Sequence, residues 1–262
     1  MRDILLFVIV FGSLPFILKR PVVGVMMFAW LSLMNPHRLA YGPAFSFQFA
    51  ALVAVVTLLG VAASKEPKGL PRNHVTVFIG LLLAWATFTC LFALVPALAW
   101  KEWNRVTKTL AMVLLTIAVV RNEKDIKVMV WVVALSLGFY GLKGGIFTLL
   151  GGGGNRVHGP SGTYIGDNNA IALALVTAMP LLWYLQSQAK KLWMRLGLIG
   201  VALCTVAAAI GTYSRGALLG GSAMLFLLWL KSRRKLPGAL FLLMLAPLTF
   251  QAYGEAPSPA PT

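Results

Sequence analysis

Long apolar runs, broken by short clusters of basic, glycine and proline residues, account for most of the chain. Ten such runs can be followed, roughly at 4–18, 21–35, 46–63, 75–99, 104–120, 126–150, 168–187, 193–211, 216–230 and 236–250. A bilayer core asks for about 20 mostly apolar residues per helix, and only helices or closed barrels satisfy their backbone in lipid. The pattern therefore predicts an all-α, polytopic membrane protein with about ten transmembrane helices. The first two runs are short and separated only by Lys19-Arg20-Pro21, which fits a tight hairpin or a partly re-entrant pair. The run at 104–120 is also short, and Lys101-Glu102-Trp103-Asn104-Arg105 with Lys108 makes its start amphipathic. Asp3 near the N-terminus, with more apolar runs directly behind, argues against a cleaved signal peptide. The last residues, Glu255 to Thr262, are rich in proline and alanine and predict a short extended tail.

Composition sharpens this picture. Hydrophobic residues make up 59% of the 262 and charged residues 11%, against about 45–50% and about 25% in soluble domains. A soluble enzyme, a disordered chain and a secreted disulfide scaffold are excluded on that ground. Cys90 and Cys204 both sit inside apolar runs and read as small hydrophobes. The net charge of +16 would suggest nucleic acid in a soluble protein. Here the basic residues fall between apolar runs, so no nucleic-acid partner is implied and orientation is the better reading. One set of alternate loops carries fifteen Lys and Arg, and the other set, with the N-terminus, carries seven. The positive-inside rule places the first set in the cytoplasm and both termini outside. Lys143 completes the count from within a run, where it asks for a partner or a water-filled cavity.

Two of the outside connections carry candidate chemistry. The first, from Gly151 to Asn169, holds four consecutive glycines, Arg156, His158 and Asp167-Asn168-Asn169, and it leads directly into an apolar helix. Asp167 is a natural N-cap. Glycines permit close backbone approach, and a helix N-terminus attracts anions. The same composition also suits a plain solvated connector. The second connection, Gly211 to Ala217, is a very short turn holding Ser214 and Arg215. Arginine binds phosphate through a bidentate fork, while a snorkelling helix end is the simpler reading. His37 and Arg38, after Asn35-Pro36, read more simply as a helix end. No metal, P-loop or nucleophile-elbow motif is present, so no cofactor or metal is expected.

The opening Met1-Arg-Asp-Ile-Leu-Leu-Phe, with Leu31-Ser-Leu-Met-Asn-Pro-His-Arg38, resembles the N-terminal domain of O-glycosylation ligases associated with the exosortase A system. The stretch Ser161 to Asn169 resembles a segment of the wider O-antigen ligase and polymerase superfamily. Thr212-Tyr-Ser-Arg-Gly-Ala217 is similar to the Ser-Arg-Gly turn that opens its shared ligase domain. The resemblance divides the chain into a subfamily-type membrane domain at 1–150, the start of a ligase-like domain at 151–250, and a tail at 251–262. It implies a multi-pass glycosyltransferase of the bacterial inner membrane with periplasmic termini. Such an enzyme moves a glycan from undecaprenyl pyrophosphate to an acceptor, without metal or nucleotide sugar. Arg215 matches a family arginine that holds pyrophosphate. Arg156 is the second candidate for that task, with Ser214, His158, Asn168 and Asn169 in support. The family's catalytic histidine lies in a large outside loop, and His158 is not at its position. The sequence turns to the Pro/Ala tail where that loop would begin, so the chain reads as a truncated product, without turnover of its own. A glycan polymerase of the same superfamily, or a lipid or solute transporter without covalent chemistry, is the alternative.

Overall fold

The computed structural model describes residues 2–64 and 73–231. Among these residues the architecture is wholly helical: α1 Arg2–Lys19, α2 Pro21–Met34, α3 Phe49–Ala63, α4 His74–Leu91, α5 Pro96–Val119, α6 Glu123–Leu150, α7 Asn168–Gln188, α8 Leu192–Gly211 and α9 Arg215–Lys231. Short 3₁₀ turns occupy Pro36–Leu39 and Pro43–Phe45. The predicted segment at 236–250 and the tail lie outside the described residues.

The ten-span expectation is corrected by helix length. Four helices, α4, α6, α7 and α8, are long and apolar enough to cross a membrane. With 14 and 15 residues, α2 and α3 reach only about 21–23 Å at 1.5 Å per residue, short of a hydrocarbon core of about 30 Å. A second correction falls at 75–99, which is not one segment. The chain leaves the helix after Leu91 and starts another at Pro96. Proline disfavours helical geometry in the residue before it, and Val95 is non-helical at φ −123°, ψ 84°. The resulting α4–α5 hairpin is pinned by Trp103 Nε1, which donates to Thr87 Oγ1 at 2.9 Å.

The chain forms two compact units. One comprises residues up to Ser32 together with Ala40–Met129; the other comprises Leu33–Leu39 together with the chain from Val130 onward. In the first unit Leu6, Val10, Ile17, Leu31, Phe49 and Val53 form the core. Phe7 packs edge-on against Phe47 and Phe49, with ring centres 5.5 and 5.0 Å away. Asp3 accepts from the backbone amides of Gly42 and Ala44, tying the start of α1 to the connection after α2.

In the second unit α6 packs against α8 along a face of small residues. A Cβ on Gly145 would lie 2.2 Å from the Cys204 carbonyl oxygen, and one on Gly144 would lie 3.1 Å from the Ala208 Cβ. Lipid is as apolar as leucine, so close packing of this kind is what holds helices together there. One pairing recurs through the fold. Gly24 faces Thr57, Gly141 faces Thr205 and Gly211 faces Thr148, each so closely that a Cβ would lie 2.1–2.2 Å from the threonine Oγ1. Each threonine donates its hydroxyl to the carbonyl four residues earlier in its own helix. Threonine thus fills the space a glycine leaves without burying an unsatisfied hydroxyl. Lys143 is exposed on α6, beside the buried Gly144.

Candidate functional site

The two sequence-predicted connections come together at one end of the second unit. Helix α6 ends at Leu150, and Gly152 and Gly153 follow with φ of +60° and +78°. Left-handed backbone is open to glycine at little cost. Helix α8 ends at Gly211, and the turn to α9 passes through Tyr213 at φ +52°. A bulky residue rarely adopts that conformation and needs its surroundings to hold it. Here the Tyr213 hydroxyl donates to the Gly153 carbonyl at 2.5 Å. The Val157 amide donates to the Gly211 carbonyl at 2.9 Å. Asn168 Nδ2 donates to the Thr212 carbonyl at 3.1 Å.

Ser214 is the hub of this join. It is 1% exposed. Its hydroxyl donates to Asn169 Oδ1 at 2.7 Å and accepts from the Ala217 amide at 3.1 Å. It therefore caps the start of α9 and fastens α9 to the first turn of α7. Asp167 caps α7 as its sequence position predicts, accepting from the Asn169 amide at 3.0 Å. With both hydroxyl functions engaged, Ser214 is a positioning residue.

Arg215 is the first residue of α9 and is exposed, so its charge adds to the positive end of that helix. Arg156 is half-buried in the glycine-rich loop. His158 is exposed, and its Nδ1 lies 3.2 Å from the Arg156 carbonyl oxygen, held locally within the loop.

Arg38, whose sequence context points first to a plain helix end, belongs to this end of the second unit. A Cβ on Gly162 would sit 3.5–3.6 Å from Nη2, Cζ and Nη1 of Arg38. Near-equal distances mean that the flat face of the guanidinium lies toward Gly162, a left-handed residue at φ +71°. The segment carrying Arg38 is anchored by the Tyr140 hydroxyl of α6, which donates to the Met34 carbonyl. Neighbouring His37 has a buried Nδ1 with no hydrogen-bond partner. Burial, and then the adjacent Arg38 charge, lower its pKa below 6.5. The sequence signal was available in Asn35-Pro36-His37-Arg38. Asn35 supplies the left-handed helix end at φ +46°, and Pro36 starts the tight turn that follows.

The loop, the segment packed on it and the start of α9 thus carry Arg38, Arg156 and Arg215, and the carboxylate of the same loop, Asp167, has its Oδ2 spent on capping α7. Such a surface suits an anionic ligand. Among the described residues, no three His, Cys, Asp or Glu gather in a way that could hold a metal ion.

The sequence matches the model of a family of unknown function, DUF5935, over residues 1–190. The chain belongs to that family. No curated protein and no solved structure gives a significant match.

Proposed function

We propose that this DUF5935 protein binds a polyprenyl-pyrophosphate-linked glycan at the arginine-bearing end of its second unit, as the donor of an O-antigen-type ligase reaction. The observation that carries this reading is the seating of the 212–214 turn on the glycine-rich loop, which presents Arg215 at the start of α9. The similarity of Thr212–Ala217 to the superfamily's Ser-Arg-Gly turn supports it. In a transfer of this class an acceptor hydroxyl bonds to the anomeric carbon as the bond from that carbon to the pyrophosphate breaks. Negative charge grows on the leaving pyrophosphate, and pre-positioned cations stabilise it where it develops. Arg215, Arg156 and Arg38 are the groups for that task. The same resemblance supports a place in the bacterial inner membrane, and the basic turn Lys190-Lys191 between α7 and α8 supports a cytoplasmic place for that turn, with the arginine-bearing end periplasmic.

The test is binding of undecaprenyl pyrophosphate to the purified full chain. A hydrogen bond to a charged group contributes about 1.5–3 kcal/mol. Arg215→Ala should therefore weaken binding by roughly tenfold or more. Arg215→Lys should restore only part of the loss, because a point charge lacks the fork. Equal binding by all three proteins would make Arg215 a helix-end residue and end the proposal. A reporter fused after Gly154 should read outside, and one after Lys191 should read cytoplasm.

A further inference from the structure

At a different place, in the first unit, the connection from α1 to α2 and the connection from α5 to α6 enclose a cavity of about 920 Å³. Its polar lining includes Arg20, Arg121 and Lys124, and its apolar lining includes Met26, Val119 and Val128. We propose that this cavity binds the headgroup of an anionic phospholipid.

Both parts of the lining are needed for the argument. Arg20 ends the α1–α2 turn, and Arg121 sits where α5 gives way to α6. Arg121 Nε donates to the Ala118 carbonyl at 2.9 Å, which holds the base of the guanidinium in place. Two carboxylates, Glu123 and Asp125, also line the cavity. Each is engaged by a neighbour: Glu123 lies 4.0 Å from Lys127 Nζ, and Asp125 accepts from Asn122 Nδ2 at 3.4 Å. Three cations against two carboxylates leave the lining with a net positive charge. A free phosphate would gain from those cations alone and would leave most of the volume to water. A phosphate carried on an acyl glycerol also covers the valine and methionine surface. Basic residues at the ends of apolar helices are where the anionic membrane surface is met, and each such cation contributes about a fivefold factor in binding.

The experiment is native mass spectrometry of the full chain in detergent with three probes. These are phosphatidylglycerol, phosphatidylcholine of the same acyl chains, and inorganic phosphate. Phosphatidylglycerol should bind roughly tenfold or more tightly than phosphatidylcholine, and inorganic phosphate should not displace it. Arg20→Gln with Lys124→Gln should weaken phosphatidylglycerol by roughly 25-fold. The pair Lys190→Gln and Lys191→Gln, in a basic turn that does not line the cavity, should leave it unchanged. Glu123→Gln should tighten binding severalfold, which keeps the test decisive if the double variant folds poorly. Equal affinity for the two lipids, displacement by inorganic phosphate, or an equal loss in the Lys190 and Lys191 variant would each overturn the proposal.

Discussion

Helices α4 and α6 have similar credentials as membrane spans, yet the fold uses them oppositely. Within their apolar windows α4 buries none of its residues and α6 buries a third. Hydropathy does not separate them; the placement of glycine does. On α6, Gly138, Gly141, Gly144 and Gly145 recur at helical spacing and share a buried face. On α4, a Cβ added to Gly80 would meet nothing within 4 Å. Phe78, Leu81 and Trp85 stand exposed along the same helix, as lipid-facing residues should. Small residues let backbones approach, and that approach decides which apolar helix packs against protein.

The most forceful way to break this contrast is Gly145→Leu. The added Cβ would meet the Cys204 carbonyl, so α6 and α8 must separate. Overpacking of this kind costs about 1–3 kcal/mol and occasionally more. A large drop in the melting temperature in detergent is the expected outcome. Gly80→Leu should shift stability by no more than about 0.5 kcal/mol, as surface changes do. Equal effects at the two positions would show that glycine placement does not distinguish the helices. A smaller effect is expected of Ser214→Ala, which removes a helix cap and strips Asn169 of its donor. A cost of about 1–2 kcal/mol follows, with weaker undecaprenyl pyrophosphate binding because α9 then starts less firmly. Ser214→Thr should recover most of both; unchanged melting and binding in Ser214→Ala would remove the hub role.

The smallest effect concerns pH. Burial and Arg38 lower the His37 pKa below its ordinary 6.5, so the folded protein prefers the neutral ring. The unfolded chain then takes up the proton first as pH falls. This contribution to stability is intact above about pH 6.5 and is lost as pH falls through the lower folded value. Melting temperatures from about pH 8 to about pH 5 should decline on the acid side, and His37→Asn should flatten that decline. Parallel profiles for the two proteins would place the titration elsewhere.

Much of the helical layout is legible in the sequence because apolar runs and their polar breaks are local. Asp167 announces the start of α7, and Lys19-Arg20-Pro21 announces the break between α1 and α2. The break at 92–95 escapes notice because Phe92 to Val95 are as apolar as their surroundings, and only Pro96 marks it. The run at 21–35 is visibly short in the sequence and matches α2, whereas the run at 46–63 yields a helix only from Phe49, because the 3₁₀ turn Pro43–Phe45 and the residues after it precede α3. At the candidate site, the two connections are visible as polar islands, and their joining is not. It depends on Tyr213 reaching Gly153, 60 residues earlier. Arg38 was underweighted for the same reason, since its neighbour Gly162 lies more than a hundred positions away.

That distance has a meaning in time. Met34 and Tyr140, whose bond anchors the Arg38 segment, are 106 residues apart. At a synthesis rate of about 5–20 residues per second, roughly 5–20 s pass between their emergence from the ribosome. Throughout that interval α1, α2 and α3 are already made and able to settle, while residues 33–39 wait for a unit not yet synthesised. The segment that carries Arg38 is therefore among the last parts of the early chain to gain its anchor, since the Tyr140 hydroxyl reaches it only after α6 is made.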